Sequence, residues 1–419
     1  MRITLATHGF ASPGGSQTYV QTVAEQLQRL GHEVLIFTAQ LGAMSDFARD
    51  RGLEVSSDPE ALDRRCDAVL VQDSIMAYEL AERLPETPQL FRAASDLYDL
   101  QLPPALPGVV DAVVVCSERV RRRVRHLAMR HAIHRLRQPI DTERFVPAGD
   151  PAASPRRAVL LGNYLGGKRL DLVREALGRR GVRCERVGAK SESTCAPEQA
   201  IWSADIVVAK GRAALEGMAC GKAVFVFDHF GGDGWVTPER YSAMEADNFA
   251  GHSGRPISTP ELLDDELDRY SPGMGTVNRE LTTAYHGART HTAELCALLR
   301  DADAPAELDG APLRELARLV RLQWLAEVRA LNLEERSRRA SGDAERARAE
   351  LARARLEHAD ELDELSARLE RERVDHATEV SALDAELDCL RALTQTRRVR
   401  LGVRLGAIAD SARRTIPTR

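Results

Sequence analysis

Along the first 145 residues, short apolar runs alternate with longer segments whose apolar positions recur every three or four residues. The runs Arg2 to Thr7, Glu33 to Thr38, Cys66 to Val71, Pro88 to Arg92 and Asp111 to Cys116 have strand length and predict strands buried on both faces. Gln17 to Leu30 predicts an amphipathic helix stopped by Gly31, and Ser117 to Ala128 a polar or helical segment. Strands separated by helices imply a parallel sheet covered on both sides.

Residues 147–157 are rich in Pro, Ala, Ser and Gly and predict a linker, after which the alternation restarts. Strands are expected at Arg157 to Leu161, Val182 to Val187, Ala204 to Ala209 and Ala223 to Asp228. Helices are expected at Arg169 to Arg179 and Ala213 to Cys220. The fold class is therefore α/β. Two Rossmann-like parallel-sheet domains, 1–146 and 158–300, should face each other across a cleft.

From 312 to 396 Gly and Pro nearly vanish, and leucines at 362, 365, 369, 383, 387 and 390 step by three and four. That spacing predicts a helical coiled-coil region, with a register shift around His376 and Val380, suited to pairing two copies as a homodimer. Residues 397–419 form a basic tail with seven arginines and one aspartate. With Leu401, Val403, Leu405 and Ile408 interspersed, it reads either as a helix touching an anionic membrane surface or as a frayed, solvated end.

Composition narrows the class. At 419 residues the chain can bury two cores, and a net charge of -5 gives no sign of a nucleic-acid partner. Seven cysteines without paired short spacings fit a reducing compartment rather than disulfides or a zinc site. The first residues lack the pattern of a signal peptide, and no 18-residue apolar window exists, so the expected location is cytoplasmic, with peripheral contact at the inner membrane face open to the tail.

Three strand ends carry glycine. Gly14 and Gly15 follow the first strand; Gly162-Asn163-Tyr164-Leu165-Gly166-Gly167-Lys168 follows the first strand of the second domain. Lys210-Gly211-Arg212 precedes a short helix containing Glu216. Helix-opening N–H groups accept anions, Lys210 or Arg212 could add charge, and a carboxylate at Glu216 suits two vicinal hydroxyls. The alternatives are a well-capped helix and a solvent-facing Glu216. No GxGxxG or Walker loop stands at proper spacing.

These residues, with Val114-Val115-Cys116-Ser117-Glu118, Pro139-Ile140-Asp141-Thr142-Glu143-Arg144-Phe145, Ala204-Asp205 and Leu215-Glu216-Gly217-Met218-Ala219-Cys220-Gly221, make residues 1 to 300 resemble a GT-B glycosyltransferase of the large retaining nucleotide-sugar family, glycosyltransferase family 4-like. The resemblance implies transfer of a hexose-like unit from a nucleoside-diphosphate sugar to a sugar, lipid-linked or protein acceptor, with no metal or cofactor. By it, Lys168 meets the diphosphate, Glu216 the ribose, and Gly14 and Gly15 the phosphates and sugar. The chain departs from the pattern at Val208, where the first of two glutamates would stand, and at Asn163, where an arginine would. Sugar handling then falls to Lys210, Arg212 or the Gly231-Gly232-Asp233-Gly234 run. His8 and the Arg92 to Asp96 run are candidates near the reacting centre; a helix cap explains Asp96 equally well. Trp202 reads as core and Trp235 as a flank for the ligand. An epimerase or hydrolase on the same fold would need an acid pair not found here. A catalytically inactive assembly protein acting through its coiled coil is the reading from another class.

Overall fold

The computed structural model describes residues 1–302 except 63–64, 97, 99–100, 128–130, 164, 189–193, 230, 255–256 and 258, together with 312–395 and 397–413. The chain divides into two compact units, Met1–Leu322 and Gln323–Arg419.

The first unit holds two α/β domains. In the first, the strands are β1 (Arg2–Gly9), β2 (Glu33–Gln40), β3 (Glu54–Ser56), β4 (Ala68–Val71), β5 (Gln89–Ala93), β6 (Ala112–Val115) and β7 (Ala132–Arg135). They form one parallel sheet in the order β3-β2-β1-β4-β5-β6-β7. Its helices are α1 (Gly15–Arg29), α2 (Ala43–Asp50), α3 (Ser74–Arg83) and α4 (Glu118–Arg125). Asp73 caps α3 by accepting the Met76 N–H at 3.0 Å, and Ser117 caps α4 through the Val120 N–H at 3.2 Å.

The second domain has β8 (Arg157–Leu161), β9 (Arg183–Val187), β10 (Ile206–Ala209), β11 (Ala223–Asp228) and β12 (Gly231–Trp235) in the order β12-β11-β10-β8-β9. Its helices are α5 (Gly167–Arg179), α6 (Glu198–Ser203), α7 (Arg212–Ala219), α8 (Pro238–Ala246), α9 (Pro260–Leu267), α10 (Met274–Tyr285) and α11 (Ala288–Arg300). The fully buried runs of β10 and β11 explain why both faces of this sheet are covered.

Four expectations change. The Gly231–Gly234 run, a candidate for sugar handling, is the buried edge strand β12, antiparallel to β11. A Cβ at Gly232 would collide with the Val226 carbonyl oxygen and the Phe227 backbone, so only glycine lets these strands approach. Trp235 does not flank a ligand. It is buried against Phe225 and Tyr270, with its indole N–H donating to the Glu266 carbonyl at 2.8 Å.

The domain limits also move. Ile140 and Phe145 pack in the core of the second domain, so the first ends before residue 146. In the other direction, α11 returns to the first domain, where Leu295, Cys296 and Leu299 join Ile3, Leu5 and Leu27. The two crossing segments meet as a pair: the Ile140 N–H donates to His286 O at 2.8 Å and the Ala288 N–H to Ile140 O at 3.0 Å.

The second unit contains α12 (Pro312–Gln395), 84 residues long and begun in the first unit, and α13 (Arg397–Arg413). Leu362, Leu365, Leu369, Leu383, Leu387 and Leu390 are all exposed along α12. The basic tail is helical as far as Arg413, and its last residues, 414–419, lie outside the described ones. Among the described residues no helix is long and apolar enough to cross a membrane.

Candidate functional site

Parallel sheets expose the C-terminal ends of their strands to one side, and here both domains turn that side to a common cleft of about 360 Å³. Its first-domain wall comes from the turn after β1, the ends of β5 and β6, and Gln138 on the crossing segment. The facing wall comes from the ends of β8, β10 and β11 and the turn after α8.

Two helices open onto this space with uncapped N-termini. Gly14 is the N-cap of α1 and Gly211 that of α7, and neither helix has a side-chain cap. Gly211 takes φ 58°, a conformation open to glycine, while its N–H donates to Phe249 O at 2.8 Å. Gly14, Gly15, Asn163, Lys210, Gly211, Arg212 and Glu216 all line the cleft.

The charged members are engaged. Lys210 Nζ lies 2.5 Å from Asp228 Oδ2, and His229 Nδ1 lies 3.1 Å from the same oxygen. Arg212 is buried and spans three segments. Its Nε donates to Glu216 Oε1 at 2.9 Å, Nη1 to Pro139 O at 2.9 Å, and Nη2 to Thr22 Oγ1 on α1 at 2.7 Å. It joins the two domains rather than standing free for a phosphate. Burial pushes the Glu216 carboxyl upward against the pull of Arg212, and burial lowers Arg212 against the pull of Glu216. Glu216 Oε2 has no hydrogen-bond partner among the described residues.

Other candidates stand elsewhere. Lys168, in the first turn of α5, is exposed and outside the cleft lining. His8 is also outside it: its N–H donates to Asp73 Oδ2 at 2.7 Å, and its ring lies 3.5 Å from Gln40 Nε2 at the sheet's end. Asp233 accepts the N–H groups of Ser253 and Gly254 at 3.1 Å and holds that turn, away from the lining. Asp233→Ala should therefore lower stability by about 1–3 kcal/mol. Urea unfolding checks this; an unchanged midpoint would remove the turn-holding role.

Asp96 does line the cleft, paired with Arg119 at 2.6 Å. Arg92, Gln138, Asp228 and His252 also line it and had weaker sequence signals. The signal for Arg92 is a charged residue inside an apolar strand. Among the described residues no group of three or more His, Cys, Asp or Glu side chains could share a metal ion.

No family model matches the chain. No curated protein matches it either. Among solved structures it is similar to HepE of Anabaena, determined with UDP-glucose, at 12% identity and a TM-score of 0.48, covering 71% of this chain and 99% of that one. WaaG, a glycosyltransferase of lipopolysaccharide biosynthesis, gives 13% identity and 0.48 over 72% and 100%. The pneumococcal O-GlcNAc transferase GtfA, determined with UDP and GlcNAc, gives 9% and 0.49 over 72% and 99%. Likeness at this level carries no chemistry with it.

Proposed function

We propose that this chain is a glycosyltransferase of GT-B architecture that takes a nucleoside-diphosphate sugar as donor. The observation that supports it most is the convergence of two uncapped, glycine-preceded helix N-termini, one from each domain, on a single cleft. Such ends favour phosphate oxygens. Glu216, held by Arg212 through one oxygen, offers the other to ribose hydroxyls. As the glycosidic bond breaks, the leaving diphosphate gathers charge. The N–H groups of α1 and α7 and Lys210 stabilise it in a space shielded between domains. Retention at the anomeric carbon follows the family resemblance.

Calorimetry of the full chain against UDP, GDP, ADP, TDP and CMP tests this. One diphosphate should bind preferentially, at least tenfold more weakly to Glu216→Gln. Binding of none would sink the donor reading.

A second reading is a GT-like scaffold without turnover. It draws on Val208, which is buried in the second domain's core where the resembled enzymes carry a glutamate. Release of sugar or nucleotide by the wild-type chain would reject it. In either case we assign the exposed leucines of α12 to homodimer formation, read by sedimentation, and the arginine-rich tail 397–419 to anionic surfaces.

A further inference from the structure

Among the described residues four cations line the cleft, and three have a carboxylate at hand. Lys210 has Asp228 at 2.5 Å, Arg212 has Glu216 at 2.9 Å and Arg119 has Asp96 at 2.6 Å. The remaining acid among the described lining residues, Asp247 on the second-domain side, accepts the His252 N–H at 3.0 Å. Arg92 is different. It is only 4% exposed, yet among the described residues no carboxylate pairs with it.

Its surroundings orient the guanidinium without neutralising it. Nη1 donates to Gln72 Oε1 at 2.6 Å and Nη2 to Gln138 Oε1 at 3.1 Å, and the group stacks 3.6 Å over the Tyr19 ring. Gln72 in turn donates to Ser16 O at 3.3 Å, tying the assembly to the first turn of α1, whose N–H groups add positive potential. A guanidinium has five donors, and the two glutamines take one each. A buried charge left without a counter-charge is costly, so a site that keeps one is arranged for an anion that arrives.

We infer that Arg92 receives an anionic phosphoryl or carboxylate group of the ligand on the first-domain side of the cleft. The identity of that ligand rests on the glycosyl-transfer reading: the group belongs either to the donor's diphosphate or to an acidic acceptor. Its place on β5 makes Arg92 a first-domain contact, in contrast to Lys168, which stands outside the lining.

The test is calorimetry and thermal unfolding of the full chain, R92Q and R92K with pyrophosphate, UDP and the other diphosphates, and glucose 6-phosphate. Wild type should bind pyrophosphate or glucose 6-phosphate, R92Q at least tenfold more weakly, and R92K in between. Without ligand, R92Q should melt at or above the wild-type temperature, because it no longer buries an unneutralised charge. Nucleoside diphosphate and pyrophosphate weakened together assign the anion to the donor. A diphosphate bound normally by R92Q while glucose 6-phosphate is lost assigns it to the acceptor. Anions bound through Arg92 without any nucleotide binding would keep this inference and sink the transferase reading. Equal binding of every anion by wild type and R92Q, or no anion bound by wild type, overturns the inference. So does a ligand-free R92Q that fails to fold, which would mark Arg92 as a structural post.

Discussion

Arg212→Ala should destabilise the α/β unit by about 3–5 kcal/mol, the range for removing one partner of a buried ion pair. The side chain connects α7 to Glu216, to the carbonyl of Pro139 on the crossing segment, and to Thr22 on α1. Its loss leaves the Glu216 carboxylate buried without a cation and releases a link between domains. The carboxyl would rise further once the pull of Arg212 is gone, so the loss is felt at neutral pH, where the group must be ionised or bind a proton at a cost. Replacing both residues, as Arg212→Met with Glu216→Leu, should recover part of the stability, since no charge is then stranded. Chemical denaturation of Arg212→Met, Glu216→Leu and the double variant beside wild type forms the double-mutant cycle. A loss below about 1 kcal/mol for Arg212→Ala would show that the pair is not an important tie.

This pair shows what the sequence could and could not convey. The spacing of Arg212 and Glu216 is that of facing residues one helical turn apart, a signal for a mutual ion pair as much as for two ligand contacts. Reading Arg212 toward a phosphate overlooked its attraction for Glu216. Strands with continuous apolar side chains were legible; β11 runs from Ala223 to Asp228 as its hydrophobicity predicts. The strand β12 was not, because Gly231 to Gly234 carry almost no side chains and pair through backbone alone. Similarly, β7 is short and contains His134 and Arg135, and α2 and β3 lie where no long apolar run marks them.

The domain exchange was illegible for another reason. Apolar spacing, even where it marks a helix, cannot say which core receives Leu295 and Leu299 of α11. The glycine turns of the cleft could be read because their chemistry is local. Arg92 could not be ranked, because the fact that matters, a buried cation without a carboxylate, is made by Gln72, Gln138 and Tyr19, all distant in sequence.

Lowering the pH from 7 to 5 should cost the α/β unit about 4 kcal/mol through two buried histidines. His286 and His291 hold consecutive carbonyls of the crossing segment: His286 Nδ1 donates to Gln138 O and His291 Nδ1 to Arg137 O, both at 2.8 Å. A carbonyl only accepts, so each Nδ1 carries the proton and each Nε2 is left to accept. Tyr241 donates to His286 Nε2 and Tyr19 to His291 Nε2, both at 2.9 Å. Thus one tyrosine from each domain secures the segment between them.

Protonating either ring would turn that acceptor into a second donor facing a hydroxyl. Burial lowers His286 to about 4 and His291 to about 3, from 6.5. Arg92 and Arg212 beside His291, and Arg135 and Arg137 beside His286, oppose the added charge, while Glu245, paired with Arg135 at 2.8 Å, favours it. Both folded values lie below the unfolded one. The stability they provide is therefore complete above pH 6.5 and declines as the unfolded chain takes up protons that the folded chain refuses. At pH 5 that is about 2 kcal/mol for each ring. His291→Asn keeps an N–H donor but no imidazole, so its stability should fall about half as steeply between pH 7 and 5, measured by urea unfolding. Parallel profiles for wild type and variant would mean that the rings are not what makes the crossing segment sensitive to acid.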